Sequence, residues 1–256
     1  MIDLRCGDCL ELMKDIPNGS IDLILTDPPY GTTNCRWDTI IPFEPMWEQL
    51  KRIIKPDGAI CLFGSEPFSS ALRMSNIKDY RYDWYWQKDK GSNFLFGNKQ
   101  PMKVIENVSV FYKKQPTYHS QKTINPNGTS KRHLYYEKGK NTNRSKEIMK
   151  NKPDKPKMGK NYEPDKLLAK QIIYFAREQR NKLHPTQKPV TLLEYLIKTY
   201  TDEGQTVLDF AFGSCSCGEA CVNLDREFIG FELDKEYFEI GKQRVENAIS
   251  KKDSTF

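Results

Sequence analysis

No apolar run in this chain is long enough to span a membrane, and none near its start resembles a secretory signal. A membrane role is thereby excluded, and a cytoplasmic location is expected. Cysteine is sparse and odd in number, at seven residues. With no secretory signal, that argues for reduced thiols and against a disulfide framework. Cys6 and Cys9 form a C-x-x-C pair, but the other close group, Cys215, Cys217 and Cys221, does not complete a usual zinc spacing. No metal is expected. The G-x-G-x-x-G fingerprint of dinucleotide sites is also missing. Hydrophobic residues make up only 38%, which still suffices for a core. A length of 256 residues fits one large domain, or a domain with an insertion. The net charge of +6 mildly favours a polyanionic partner.

What is present centres on Asp27-Pro28-Pro29-Tyr30. The preceding Ile21 to Thr26 reads as a buried strand. Each proline fixes its own φ and lacks a donor, and each pushes the residue before it out of the α region. Asp27 and Pro28 are therefore held extended, so a carboxylate and the Pro28 carbonyl project together past the strand end. Two acceptors beside the Tyr30 ring suit an exocyclic amine on a planar base. They can stabilise positive charge as the amine attacks a methyl group, while the ring stacks on the base. A plain proline-rich turn is the bland alternative.

Further strands are expected at Ile2 to Arg5, Ala59 to Phe63, Tyr82 to Gln87 and Val104 to Tyr112. Helices are expected from Leu10, around Trp47 to Ile54, and from Pro67 to Met74, with a turn at Lys55-Pro56-Asp57-Gly58. Asp8 sits at a strand end like Asp27, where an N-cap is its ordinary reading. From Lys113 to about Lys160 apolar periodicity is lost, and lysine and arginine far outnumber acids. Such a stretch reads as a surface facing nucleic acid, with Lys131 and Arg132 as phosphate contacts, or as a solvated linker. Thr186, Gln187 and Lys188 precede a strong helical stripe from Val190 to Ile197, a place where a carboxylate can bind. Thr206 to Asp209 is a strand ending in an acid and entering a small-residue turn, and Phe228 to Asp234 is another strand, ending in acids. Glu232 lies 23 positions beyond Asp209, near the spacing at which an acid meets ribose hydroxyls in βαβ nucleotide sites.

Together, Asp-Pro-Pro-Tyr, a basic middle, His184-Pro185-Thr186-Gln187-Lys188-Pro189, the strand–acid–Gly-Ser turn and Phe228-Ile229-Gly230-Phe231-Glu232 resemble the β-group of DNA amino-methyltransferases. The resemblance covers nearly the whole chain outside Lys113 to Lys182. It implies an α/β fold with a Rossmann-like, mostly parallel, seven-stranded sheet in permuted motif order. Residues 1–112 would form the catalytic half, 113–182 a basic target-recognition insertion and 183–256 the cofactor-binding half. The implied cofactor is S-adenosylmethionine, and the implied reaction is site-specific methylation of adenine N6. Cytosine N4 methylation and a weakened DNA-binding relative are the alternatives.

By position, Asp27, Pro28, Pro29 and Tyr30 match the catalytic motif. Asp8, Thr186, Gln187, Lys188, Asp209, Phe210, Phe212, Gly213, Ser214, Cys215 and Glu232 match cofactor-binding positions. The partner is double-stranded DNA, with single-stranded DNA as the alternative. A second copy of the chain and a cognate restriction endonuclease are further implied partners. The turn departs from the family pattern Asp-Pro-Phe-x-Gly-Ser-Gly-Thr-Thr, with Phe210 for the first proline and Cys215 for the second glycine. A side chain at Cys215 is expected to weaken cofactor binding.

Overall fold

A computed structural model of the chain describes residues 1–32, 38–92, 95, 97–124, 166–178 and 187–254. Contacts divide it into a larger unit, Met1–His119 with Gln171–Phe256, and a smaller one, Ser120–Lys170.

The larger unit is built on one sheet. Its strands are β1 (Ile2–Cys6), β2 (Ile21–Thr26), β3 (Ile54–Gly64), β4 (Tyr80–Ser92), β5 (Lys103–Phe111), β8 (Ile172–Tyr174), β9 (Thr206–Asp209) and β10 (Glu227–Glu232). Their order is β1-β10-β9-β2-β3-β5-β4-β8. The run from β1 to β3 is wholly parallel, and β5 then pairs antiparallel with both β3 and β4. The α/β, mostly parallel architecture is as expected. One strand more than seven is present, because three-residue β8 joins the edge of β4.

Every residue of β2 is buried, as a central strand covered on both faces requires. On one face Met13, Ile24, Trp47, Leu50, Leu62 and Phe68 belong to a continuous apolar cluster. Helix α2 (Phe43–Ile53) enters it through Met46, Trp47, Leu50 and Ile53, which recur at the spacing of one helical face. Helix α3 (Phe68–Ser75) adds Leu72, and Ser75 Oγ accepts from Trp47 Nε1 at 2.7 Å. Three further helices follow β8 in sequence, α4 (Val190–Tyr200), α5 (Ser216–Asn223) and α6 (Lys235–Asp253), after the short α1 (Cys9–Leu12) near the start.

Lys55 to Gly58 is not the separate turn expected from its Pro-Asp-Gly content; it lies inside β3. Pairing with β2 jumps from Ile21↔Ile54 to Leu23↔Ala59, so these four residues bulge from the ladder. Gly58 suits the bulge, since a Cβ there would stand 2.8 Å from the Asp22 carbonyl.

The chain leaves β1 for β2 and β3 on one side, and later fills the gap with β9 and β10 on the other. The direction of winding therefore reverses between β2 and β9. In open α/β sheets such a reversal opens a crevice at the carboxyl ends of the strands.

Of the smaller unit, the described residues show one antiparallel pair, β6 (Thr123–Ile124) with β7 (Lys166–Leu167). Ala169 N donates to Ser120 Oγ at 3.4 Å, so the two chain ends of this unit meet. Lys131 and Arg132 lie outside the described residues.

Candidate functional site

The crevice holds a cavity of about 650 Å³. Four acids enter it from successive strand ends: Asp8 after β1, Asp27 after β2, Asp209 at the end of β9 and Glu232 at the end of β10. Strand register brings them together, since Cys6 faces Glu232 and Leu23 faces Val207. Pro28, Pro29, Tyr30, Gln187, Lys188, Phe210, Phe212, Gly213 and Ser214 also line the cavity. Thr186 lies outside the described residues.

At the catalytic end, the Asp27 loop is pinned by Asp38. The Asp38 carboxylate accepts from Tyr30 N at 2.8 Å, Gly31 N at 2.9 Å and Thr32 N at 2.9 Å. Three backbone donors on one buried carboxylate fix the turn after the prolines. Gly31 has φ +66°, and a Cβ on it would meet Ile40 at 2.8 Å. The Tyr30 ring stacks on Phe68 with centroids 5.0 Å apart. Its hydroxyl donates to Asp27 Oδ1, and Lys188 Nζ donates to Asp27 Oδ2. Burial raises the Asp27 carboxyl above the usual carboxylate range, with Lys188 pulling against it.

Lys188, expected near the cofactor, lines the cavity and is bonded to Asp27, and its neighbour Gln187 reaches the 209–214 turn. The Gln187 side chain is bonded to Ser214 Oγ at 3.3 Å. Lys188 also approaches Glu106 Oε2 at 3.5 Å. Glu106, Lys88 and Asp38 were not anticipated from sequence. Only Asp38 carried a signal, as an acid shortly after a Gly turn.

At the other end, loops replace ion pairs. Glu232 accepts from Gly213 N at 2.8 Å and from Asp234 N at 2.9 Å, one bond to each oxygen. Each oxygen keeps a lone pair for a further donor, such as a sugar hydroxyl. Asp8 caps α1 through Leu10 N at 2.7 Å, so its ordinary reading holds while it lines the cavity. Phe210 N donates to Thr26 Oγ1 at 3.1 Å, tying the two loops across the crevice. Burial pushes the Asp209 carboxyl up to about 8, against an Ala211 N–H that pulls it down. Burial, with Asp8 adding to it, pushes the Cys9 thiol up to about 12, so that lining thiol stays protonated. Among the described residues no group of acids, cysteines and histidines could hold a metal ion.

Cys215 does not meet the expectation made for it. It is fully buried and does not line the cavity. It takes the left-handed conformation at φ +57° that glycine would favour. Its side chain points into the protein, where Gly218 and Gly241 make room; a Cβ on either would stand within 2.8 Å of a Cys215 side-chain atom. Arg244 steadies the same turn, donating to Ser214 O at 3.2 Å and Ser216 Oγ at 3.0 Å.

The donor and acceptor set fits S-adenosylmethionine. The volume suits a nucleoside-sized ligand, Glu232 offers acceptors to hydroxyls, and Phe210 and Phe212 offer apolar walls. No helix among the described residues is long and apolar enough to cross a membrane.

Comparison with known proteins agrees with this geometry. A family model described as DNA methylase matches residues 21–243. The type II methyltransferase M.HpaI of Haemophilus parainfluenzae is 28% identical, over 98% of this chain and 76% of its own. The solved M1.HpyAVI–SAM complex superposes with a TM-score of 0.62 at 23% identity, over 95% of this chain and all of that one. The PvuII cytosine-N4-specific DNA methyltransferase gives 0.66 at 15% identity, over 98% and 92%. The chain belongs to the DNA methylase family, and is an S-adenosylmethionine-dependent DNA amino-methyltransferase.

Proposed function

We propose that the enzyme methylates the N6 amine of an adenine turned out of the DNA duplex. The observation that carries this reading is an aspartate, Asp27, at the head of the Pro-Pro-Tyr turn and inside the cavity. When bound, S-adenosylmethionine supplies a methyl group already activated by its sulfonium. The chain has only to place and polarise the amine. Asp27 and the Pro28 carbonyl accept the two N–H groups, drawing the nitrogen toward tetrahedral geometry and offsetting the charge that forms on it. Tyr30, backed by Phe68, offers a ring for the extruded base. By the family resemblance, adenine enzymes carry Asp at this position and cytosine enzymes Ser, and the carboxylate is the stronger, charge-assisted acceptor. Glu232 would hold ribose hydroxyls, and Gln187 with the 209–214 turn would hold the rest of the cofactor.

Target recognition belongs to residues 113–182, with Lys131 and Arg132 on phosphates. Replacing both should flatten the slope of log affinity against log salt by up to about two phosphate contacts. An unchanged slope removes this pair from the DNA. The type II methyltransferase among the relatives supports a restriction–modification setting; a cytoplasmic location and a cognate endonuclease are read from the family resemblance. A homodimer is read from the family resemblance alone.

Incubation with genomic DNA and labelled cofactor, followed by digestion to nucleosides and mass spectrometry, tests the base. N6-methyladenine is expected. N4-methylcytosine as the main product overturns the assignment.

A further inference from the structure

Behind Asp27 stands a row of buried charges that amine binding does not itself require. Lys188 sits between Asp27 Oδ2 and Glu106 Oε2, and Lys88 Nζ donates to Glu106 Oε1 at 3.0 Å. Glu106 retains 19% exposure, Lys188 8% and Lys88 5%. Glu106 Oε2 makes no hydrogen bond within ordinary limits; its nearest cation is Lys188 at 3.5 Å. Phe63 and Tyr30 flank the ammonium, which lies 5.1 Å and 6.0 Å from their ring centres. These groups come from β5, β4 and the segment before α4, so the fold gathers them from distant parts of the chain.

Buried ion pairs are a poor source of stability, because desolvation cancels most of the attraction. Well-packed apolar side chains would fill this space as well. The alternating row has a different consequence. Lys188 alone would neutralise Asp27 and cancel its attraction for a developing positive charge. With Glu106 on the far side, Asp27, Lys188 and Glu106 sum to one negative charge; Lys88 brings the full row to zero, but it stands behind Glu106, so Glu106 acts on Asp27 from closer by.

We propose that Lys188 and Glu106 are positioning residues for Asp27. The lysine fixes Oδ2 and keeps the carboxylate ionised, and Glu106 fixes the lysine and restores the negative field. This rests on the reading of Asp27 as the amine acceptor. Oδ1 then stays exchangeable, because its partner is the neutral Tyr30 hydroxyl, which an incoming N–H can replace. Burial opposes charge on Lys188, yet Asp27 and Glu106 outweigh it and hold the ammonium above its ordinary range. Burial likewise works against Glu106, and Lys188 and Lys88 outweigh it, holding that carboxyl below its range. The charged groups facing Asp27 are Lys188, Glu106 and, behind them, Lys88; Tyr30 and Asp209 are the neighbouring titratable groups.

The test is a carboxyl ¹³C titration of Asp27 in cofactor-free protein, beside pH profiles of kcat. Asp27 works ionised, so its protonation forms the acid limb. Removing the cation in Lys188→Met should raise the Asp27 titration and move the limb to higher pH. Removing the anion in Glu106→Gln should lower both. Each should cut kcat by about 10- to 100-fold, the range expected for losing a hydrogen bond to a charged group, with KM for DNA and cofactor unchanged. Lys188→Arg, which keeps the charge, should restore the titration. The double variant Lys88→Met, Glu106→Gln keeps the charge sum of the row at zero, and covers the case in which Glu106→Gln alone fails to fold. Its Asp27 titration should fall below wild type but less far than in Glu106→Gln, because the nearer anion and the farther cation are lost together. Unshifted titrations, or shifts of the same sign for Lys188→Met and Glu106→Gln, overturn the proposal. Full turnover by Asp27→Ala would instead overturn the reading of Asp27 on which the proposal rests.

Discussion

The two ends of the crevice hold their acids by different means. Asp27 is engaged by side chains, a lysine on one oxygen and a phenol on the other. Glu232 is engaged by backbone N–H groups of the turns beside it, and Asp209 by the Ala211 N–H with the neutral Thr26 hydroxyl. Side-chain partners can exchange, and their charges tune how strongly the acid attracts a new cation. Backbone partners are fixed by the turn and leave the acid's remaining lone pairs for a ligand that stays put. The first arrangement suits a group that must respond during a reaction. The second suits a group that binds.

The largest effect is expected at the responsive end. Asp27→Ala should lower kcat on the order of 10²-fold or more, as for other lost electrostatic stabilisers. Lys188 keeps Glu106 as a partner, so the fold should survive. DNA binding measured by fluorescence anisotropy should be largely unchanged, and near-full turnover would remove Asp27 from the chemistry.

A smaller effect is expected from Asp209. Burial holds its carboxyl up near 8, so below that pH the cofactor-free protein keeps it neutral. A cationic cofactor bound beside Asp209 would favour the ionised form, so binding is expected to release a proton and cofactor affinity to rise with pH toward about 8. The same acid is ionised in the unfolded chain at lower pH. Its contribution to stability is therefore present below the unfolded value and fades as pH rises toward the folded one. Asp209→Asn should flatten the pH dependence of both affinity and stability relative to wild type. Calorimetry in buffers of different ionisation enthalpy counts the proton directly; no proton release by the wild type would refute the account.

The smallest effect is expected from Cys215→Gly. Glycine relieves a left-handed backbone that costs a side chain roughly 1–2 kcal/mol. It also deletes a buried CH₂–SH group, and one buried CH₂ alone contributes about 0.8 kcal/mol. The two nearly offset. Cofactor affinity should be unchanged, since the thiol points away from the cavity. A large gain in affinity would restore the view that cysteine obstructs the turn.

This last case shows where sequence reading stopped. The glycine-to-cysteine change looked costly because the turn was read alone. Gly218 and Gly241, which make room for the thiol, are three and 26 positions away, and only packing reveals them. The strand ends were legible for the opposite reason. A buried apolar run that stops at an acid is a local pattern, so β2, β9 and β10 and their acids could be placed in advance. Lys188 lines the cavity as the resemblance implies, and its bond to Asp27 is not legible in the sequence, because its direction depends on Glu106 of β5. Glu106 and Lys88 lie 79 and 61 positions from Asp27, and the sheet joins them to it through successive pairing of β2 with β3, β3 with β5 and β5 with β4.

The division between the two ends is tested most directly by measuring cofactor affinity and single-turnover rate on the same pair of variants. Asp27→Ala should keep its affinity for S-adenosylmethionine and lose the rate at saturating cofactor. Glu232→Ala should lose affinity by about 10- to 100-fold, as expected for lost hydrogen bonds to a charged group, and keep the rate once saturated. If both variants lose rate and affinity together, the crevice acts as one undivided unit and the account of two ends is wrong.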